Sequence, residues 1–438
     1  RIKIIEGSSR TGGRIHTVQD SFGNLTELGA EYIHVSEGKA PIWKDIRRFN
    51  LPTVSFNKIT GSNIYHSEIG KTVSSFRGAL KLGLWTGARM YSDIDSYSGP
   101  DINVNQFLQL QKGDEFETEF RKMAILGHVP GSADEVSING FIADEYSSFL
   151  PSFEENYVLS RYKSIDDNLS DSIDIEFNQR VEKIKYNQNN VEVFISGRSQ
   201  PLRAKTVICT FSIGMLKSGS VEFDPPLPTI KQEAINHLAP GHHSKVSLAF
   251  SKRFWPEDMK MLHFMDNGID QKPNGRNAGQ TYFHGHFWKN LEPAKLNALI
   301  MGDTAKRLRF LGDNEVIDYI CSDLDRMFPE VAPTRQHLLN FMRIQWMDDP
   351  FARGGNSFIL KTENSAIEPG AARQTLANAA DTPGIFWAGE ATGGWSKAHP
   401  ASVHGAHASG IRAAIEVHEL LLRGKFINWS SSENILNS

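Results

Sequence analysis

Arg1-Ile-Lys-Ile-Ile-Glu6 is a β-branched run that ends in an acid, and Arg10-Thr-Gly-Gly-Arg14 follows it closely. In a dinucleotide-binding unit the second strand ends in Glu or Asp, because that carboxylate accepts hydrogen bonds from ribose hydroxyls. Glu6 has that position. Gly12 and Gly13 allow close backbone approach to a ligand, and Arg14 can meet a pyrophosphate with its planar guanidinium. The chemistry expected of this segment is the holding of a nucleotide.

Other chemistries find less support. His284 and His286 fall on one face of an extended stretch, and His242 adjoins His243, but no third ligand is placed, so no metal is expected. No Ser-His-Asp or Cys-His arrangement has motif context. Cys209 and Cys321 are the two cysteines; both sit in apolar stretches and read as buried thiols.

The elements that must position such a site follow from periodicity. The opening run suits a buried parallel strand. Ile42, Trp43, Ile46 and Phe49 have helical spacing, stopped by Pro52. Alternation over 181–186 and 191–195, joined through Gln188-Asn189-Asn190, reads as a hairpin. Strands are expected at 205–210, 245–250, 280–287, 296–301, 338–346 and 384–389, and helices at 229–238, 316–327 and 401–422. Strands alternating with helices at both ends imply an α/β fold, α+β overall, with a Rossmann-like nucleotide domain built from separated segments.

A chain of 438 residues exceeds what one core serves, so two domains are expected. The net charge of −4 offers no phosphate-neutralising footprint, so no nucleic-acid partner is expected. No apolar run reaches the roughly 18 residues of a membrane span. A soluble protein is expected, cytoplasmic, peroxisomal or, given the sequons at Asn24, Asn168 and Asn428, secreted.

Further along, Glu27-Leu-Gly-Ala-Glu-Tyr-Ile-His34, Phe211-Ser-Ile-Gly-Met-Leu-Lys217, Phe223-Asp-Pro-Pro-Leu-Pro228, the stretch from Trp346 to Phe358, Gly389-Glu-Ala-Thr392 and Val403-His-Gly-Ala406 recur in the order of one family. The sequence resembles the flavin-dependent amine oxidases, which include polyamine oxidases, monoamine oxidases and lysine-specific histone demethylases. The resemblance implies an FAD-binding domain from 1–58, 172–244 and 372–423, a substrate-binding domain with a mixed sheet and flanking helices from 59–171 and 245–371, and a tail over 424–438. It implies that Glu6, Gly12, Gly13, Arg14, Gly29, Ala30, Val181, Trp346, Gly389, Glu390 and Val403 face FAD.

It also implies the reaction. A hydride leaves the carbon beside an amine, the imine is hydrolysed to an aldehyde and an amine, and O2 is reduced to H2O2. A family lysine holds a water near the flavin; Lys289 matches its setting best, with Lys295 as a neighbour of the same kind. Phe358 and Ser402 stand where the family places side chains of the amine cage. Tyr32 and His34 would line the entrance, and Glu31 or Glu37 would attract distal ammonium groups of a polyamine. The substrate expected is a polyamine or related secondary amine. The alternatives are a silent relative without FAD, or an L-amino-acid or monoamine oxidase.

Two departures stand out. Family members begin with a strand and a G-x-G-x-x-G turn, whereas Arg1 already belongs to the second strand, so roughly 30 residues of the unit are expected to be missing from an incomplete chain. Tyr157-Val-Leu-Ser-Arg-Tyr-Lys163 stands where the family has a glycine pair before a helix.

Overall fold

The computed structural model describes residues 2–57, 62–66, 71–74, 93–94, 96–113, 115–146, 154–256, 261–265, 281–284, 292–363, 365–394, 398–424 and 426–427. Two short parallel pairs form two separate two-stranded sheets. Ile4–Ile5 runs beside Ile175–Glu176, and Val207–Cys209 beside Ile385–Trp387. The expected hairpin is present as Val181–Tyr186 and Val191–Ile195, in a four-stranded sheet with Leu202–Ala204 and Glu222–Asp224. Ile184, Val191, Val193, Ile195 and Trp387 close one core over this region.

The opening strand differs from its expectation in burial. Ile2 is 80% and Ile4 39% exposed. Among the described residues Ile4–Ile5 pairs with one strand, Ile175–Glu176.

The largest sheet has seven strands, in the order Leu338–Gln345, His243–Phe250, Ala294–Met301, Thr281–His284, Met261–Met265, Ser62–His66 and Lys71–Ser74. Alternation sorts its residues by face. Val246, Leu248 and Phe250, with Leu296, Ala298 and Ile300, pack on Val316, Ile317, Ile320 and Leu324 of the helix Asp313–Met327. Lys245, Ser247, Asn297 and His284 share the opposite face, since Asn297 lies opposite both Ser247 and His284. That face meets the loop after Leu25–Glu27.

The helix Val403–Arg423 starts at Ser402, whose Oγ accepts from Gly405 N at 3.0 Å, and stops at Gly424, where φ is +62°. Ala408 packs with Trp43, Ile46, Tyr162 and Ile165. Tyr162 precedes the helix Lys163–Ser170, and just before it Arg161 has φ +75°. The backbone here thus takes the left-handed conformation that favours glycine, although Arg161 carries a side chain. Its guanidinium donates to Leu25 O and Leu159 O and lies over the Tyr157 ring.

Lys231 shows how polar groups close the core. Fully buried, its Nζ donates to Thr375 O at 2.7 Å, Leu376 O at 2.9 Å and Asn378 O at 2.6 Å, ending the helix Ala372–Ala377. Lys231→Met keeps most of the volume but strips a donor from three carbonyls. Unfolding by denaturant is expected to show a loss of about 3 kcal/mol.

Candidate active site

Gly389 follows the strand Ile385–Trp387 with φ +111°, a turn that glycine permits. It delivers Glu390 into the interior. Glu390 Oε1 accepts from Arg14 Nη1 at 2.9 Å, and Oε2 accepts from Ser357 N at 3.1 Å and Ser357 Oγ at 2.7 Å. Arg373 donates to Ser357 Oγ at 2.8 Å and grips both Asp144 oxygens, at 2.7 and 2.8 Å. Burial opposes the Glu390 charge, yet Arg14, Arg373 and the Ser357 hydrogen bonds hold its carboxyl below the usual range. Three segments far apart in sequence are thereby fixed to each other.

The Arg10-Thr-Gly-Gly-Arg14 turn lies against this network. Gly12 and Gly13 have φ +87° and +57°. Arg14 also donates to Gly355 O. Glu6 Oε1 accepts from Ser8 N at 2.7 Å and Ser8 Oγ at 2.6 Å, while Oε2 has no hydrogen-bond partner among the described residues. Val181 begins the hairpin and packs against the core there. Val403 is the first residue of the long helix.

Gly29 and Ala30 run against the Arg14–His16 backbone. Leu28 N donates to His16 O at 2.8 Å and Ala30 N to Arg14 O at 3.2 Å. A Cβ on Gly29 would stand 2.1 Å from Arg14 O, so only glycine fits. Trp346, 4% exposed, donates from Nε1 to Leu28 O at 3.2 Å and fixes the loop from the other side. The acid with a spare oxygen, the bare glycine turn and the Arg14–Glu390 pair fit the sugar-phosphate part of FAD.

Beyond Gly29 the loop meets the polar face of the seven-stranded sheet. Lys245 Nζ donates to Gly29 O at 3.0 Å and to Glu31 Oε2 at 2.6 Å, and both side chains of the ion pair are 2% exposed. The sequence reading missed this lysine. Lys289 lies outside the described residues. Lys295, also buried, is bound to Asp20 and to Thr26 Oγ1, so it serves the loop around Asp20. A signal was available: in Lys245-Val-Ser-Leu-Ala-Phe250 the apolar residues Val246, Leu248 and Phe250 alternate, which puts Lys245 on the face away from that core.

The amine-side candidates separate. Ser357 reaches Glu390, so alternation turns Phe358 the other way, where it contacts Gly131 and Val136 in a core with Phe107 and Phe141. Phe358 is therefore core, not cage. Ser402 is occupied as a helix cap. Tyr32 is buried, stacks on His284 at 5.3 Å and hydrogen-bonds to its Nδ1. Glu31 is engaged by Lys245, so its carboxylate is not open to a distal ammonium. Glu37 is a surface partner of Arg47 at 3.0 Å. His34 is the exposed residue of the 31–35 stretch, with Nδ1 2.7 Å from the buried Glu155.

Two buried histidines make the site sensitive to acid. Burial, with Glu31 opposing and Lys245 adding, lowers His284 to about 4. Burial with Arg14 and Lys245 lowers His243 to about 3. The unfolded chain takes up these protons near pH 6.5, and the folded chain only well below it. Stability is therefore full above pH 6.5 and is lost as pH falls toward 4. His284→Gln is expected to make the acid limb of the stability–pH curve shallower by about 1.4 kcal/mol per pH unit, measured by denaturant unfolding.

The fold and this lysine-bearing, glycine-lined site define a nucleotide-binding oxidoreductase. The family model for flavin containing amine oxidoreductase matches residues 1–418. The chain belongs to that family: it is an amine oxidase, and FAD is its cofactor. It is 26% identical to polyamine oxidase 2 of Arabidopsis thaliana over 442 residues, which is 94% of this chain and 82% of that protein. A possible lysine-specific histone demethylase 1 of Drosophila melanogaster is 29% identical over 284 residues, 60% of this chain and 30% of that protein. Among solved structures, cyclohexylamine oxidase from Brevibacterium oxydans IH-35A superposes with a TM-score of 0.72 at 17% identity, covering 95% of this chain and 93% of that one. Wild-type putrescine oxidase bound to putrescine superposes with a TM-score of 0.72 at 17% identity, over 94% and 93%. Among the described residues no helix is long and apolar enough to cross a membrane.

Proposed function

We propose that the protein oxidises a polyamine or related secondary amine at a carbon beside nitrogen, yielding an imine that water hydrolyses to an aldehyde and an amine, with O2 reduced to H2O2. The observation that carries this reading is Lys245, buried against the loop that the family sets beside the flavin. Relatives named as polyamine oxidases along most of the chain support the substrate class. In this reading 1–58, 172–244 and 372–423 hold the cofactor, and 59–171 and 245–371 hold the amine.

Bound FAD supplies the two-electron acceptor for the carbon–hydrogen bond next to nitrogen. The chain supplies the rest. Arg14, clamped by Glu390, meets the diphosphate, and Glu6 accepts from a ribose hydroxyl through its spare oxygen. Gly29 and Ala30 present bare backbone to the ring. Lys245 spends two N–H groups on Gly29 O and Glu31, and its third N–H holds a water. That water stands in a dry site, because Tyr32, Ile33 and the sheet face exclude solvent. His34, exposed and paired with Glu155, lines the approach of the amine.

The test is peroxide release from the flavin-loaded protein across spermine, spermidine, acetylated polyamines, monoamines and amino acids. Turnover of a polyamine well above that of monoamines and amino acids is expected. Preference for a monoamine or an amino acid overturns the substrate assignment.

A further inference from the structure

Glu31 is buried as deeply as Lys245 and belongs to a cluster drawn from separate segments. Its Oε2 is 2.6 Å from Lys245 Nζ and 3.5 Å from His284 Nδ1, and its Oε1 lies 3.4 Å from Asn297 Nδ2. The Tyr32 hydroxyl closes on the same His284 nitrogen. Glu27, Tyr157 and Glu155 also face this cluster electrostatically, and His243 and Arg14 border it. His284 is neutral near pH 7, because burial lowers it to about 4. Lys245 is therefore the cation that meets the Glu31 charge.

A buried ion pair is costly and contributes little net stability, so its presence points to a positional role. An amide could anchor the loop to Asn297 and Lys245 without the desolvation of a charge. A carboxylate does what an amide cannot: it accepts a charge-assisted hydrogen bond that holds an ammonium in one orientation. Gly29 O and Glu31 are the acceptors of Lys245 among the described residues, which accounts for two of its three N–H groups.

We propose that Glu31 is a positioning residue for amine oxidation, acting through Lys245: it aims the ammonium so that its third N–H is left for the water. The proposal rests on the reading of Lys245 as the water-holding lysine.

Two readouts test it. In protein labelled with lysine-15N, first without flavin, the Lys245 Nζ signal is assigned by its loss in Lys245→Met. A protected ammonium signal is expected in the parent and in Glu31→Asp, and its disappearance in Glu31→Gln. In the loaded enzyme, Glu31→Gln is expected to lower kcat for spermine or spermidine by about tenfold or more, with KM changed by less than about threefold and the pH–rate profile displaced. Glu31→Asp is expected to recover part of kcat. A Glu31→Gln enzyme with parental kcat and pH profile, or with an unchanged Nζ signal, overturns the proposal while leaving Lys245 in place. A Lys245→Met enzyme as active as the parent overturns the Lys245 reading and the proposal with it.

Discussion

Replacing Lys245 with methionine is expected to lower amine turnover by about 10² to 10⁴-fold, the range found when a positioned proton-exchanging group is removed. The expectation follows from what the side chain does and where it stands. It is 2% exposed, it points from the second strand of the seven-stranded sheet toward Gly29, and its N–H beyond those given to Gly29 O and Glu31 has no acceptor among the described residues. Methionine fills the space but offers no donor, so the ordered water is lost. If that water acts in the reacting complex and not in amine binding, kcat falls and KM stays near the parent value. Stopped-flow absorbance at the flavin bands separates the steps: the half-reaction that uses the water slows, and the other keeps its rate.

The same substitution leaves Glu31 as an uncompensated buried charge, a cost of about 3 to 5 kcal/mol. A fall in activity could therefore come from a damaged fold. The Glu31→Gln, Lys245→Met pair removes both charges together, and it is expected to recover stability without recovering turnover. Denaturant unfolding of the four proteins gives the coupling, and peroxide release gives the activity. Normal turnover in Lys245→Met would sink the assignment, and loss of turnover in step with loss of folded protein would reduce Lys245 to a structural role.

Legibility in the sequence divided along physical lines. Local pattern was enough for most elements. The hairpin 181–195, the helix at 229–237, the amphipathic helix 313–327 and the long last helix carry their period and their stops in consecutive residues. Glu390, Arg14 and Gly29 were singled out through ordered segments, and the structure brings Arg14 to Glu390 and packs Gly29 where a Cβ would meet Arg14 O. The amine side was less so. Lys245, Asn297 and His284 come together only when three strands take a given register, and a one-residue slip would send each to the opposite face. Phe358 was misread for the same reason: its strand sends Ser357 inward to Glu390, so the aromatic ring goes to the core. Glu31 was read as an open carboxylate because nothing in its own segment announces a lysine more than two hundred positions away.

Glu390→Ala is expected to give a protein that folds but loses flavin on purification. Glu390 is the junction of the cofactor side: it binds Arg14 at 2.9 Å and both Ser357 donors, and Arg373 reaches the same Ser357. Removing it leaves Gly355 O as the one partner of the Arg14 side chain among the described residues, and leaves Ser357 N without its acceptor. A charge-assisted hydrogen bond contributes about 1.5 to 3 kcal/mol. If Arg14 loses its aim toward the diphosphate, FAD affinity should fall by about 10 to 150-fold. Titration of flavin-free protein with FAD measures this directly, and the absorbance ratio of purified protein checks it independently. Glu390→Gln separates charge from contact. The amide oxygen can still accept from Ser357, but it cannot offset the positive charges of Arg14 and Arg373, so its FAD affinity should fall between the parent and Glu390→Ala. Parental affinity in Glu390→Ala would mean that Arg14 is oriented by Gly355 and the turn alone; a Glu390→Gln value equal to that of Glu390→Ala would assign the whole effect to charge.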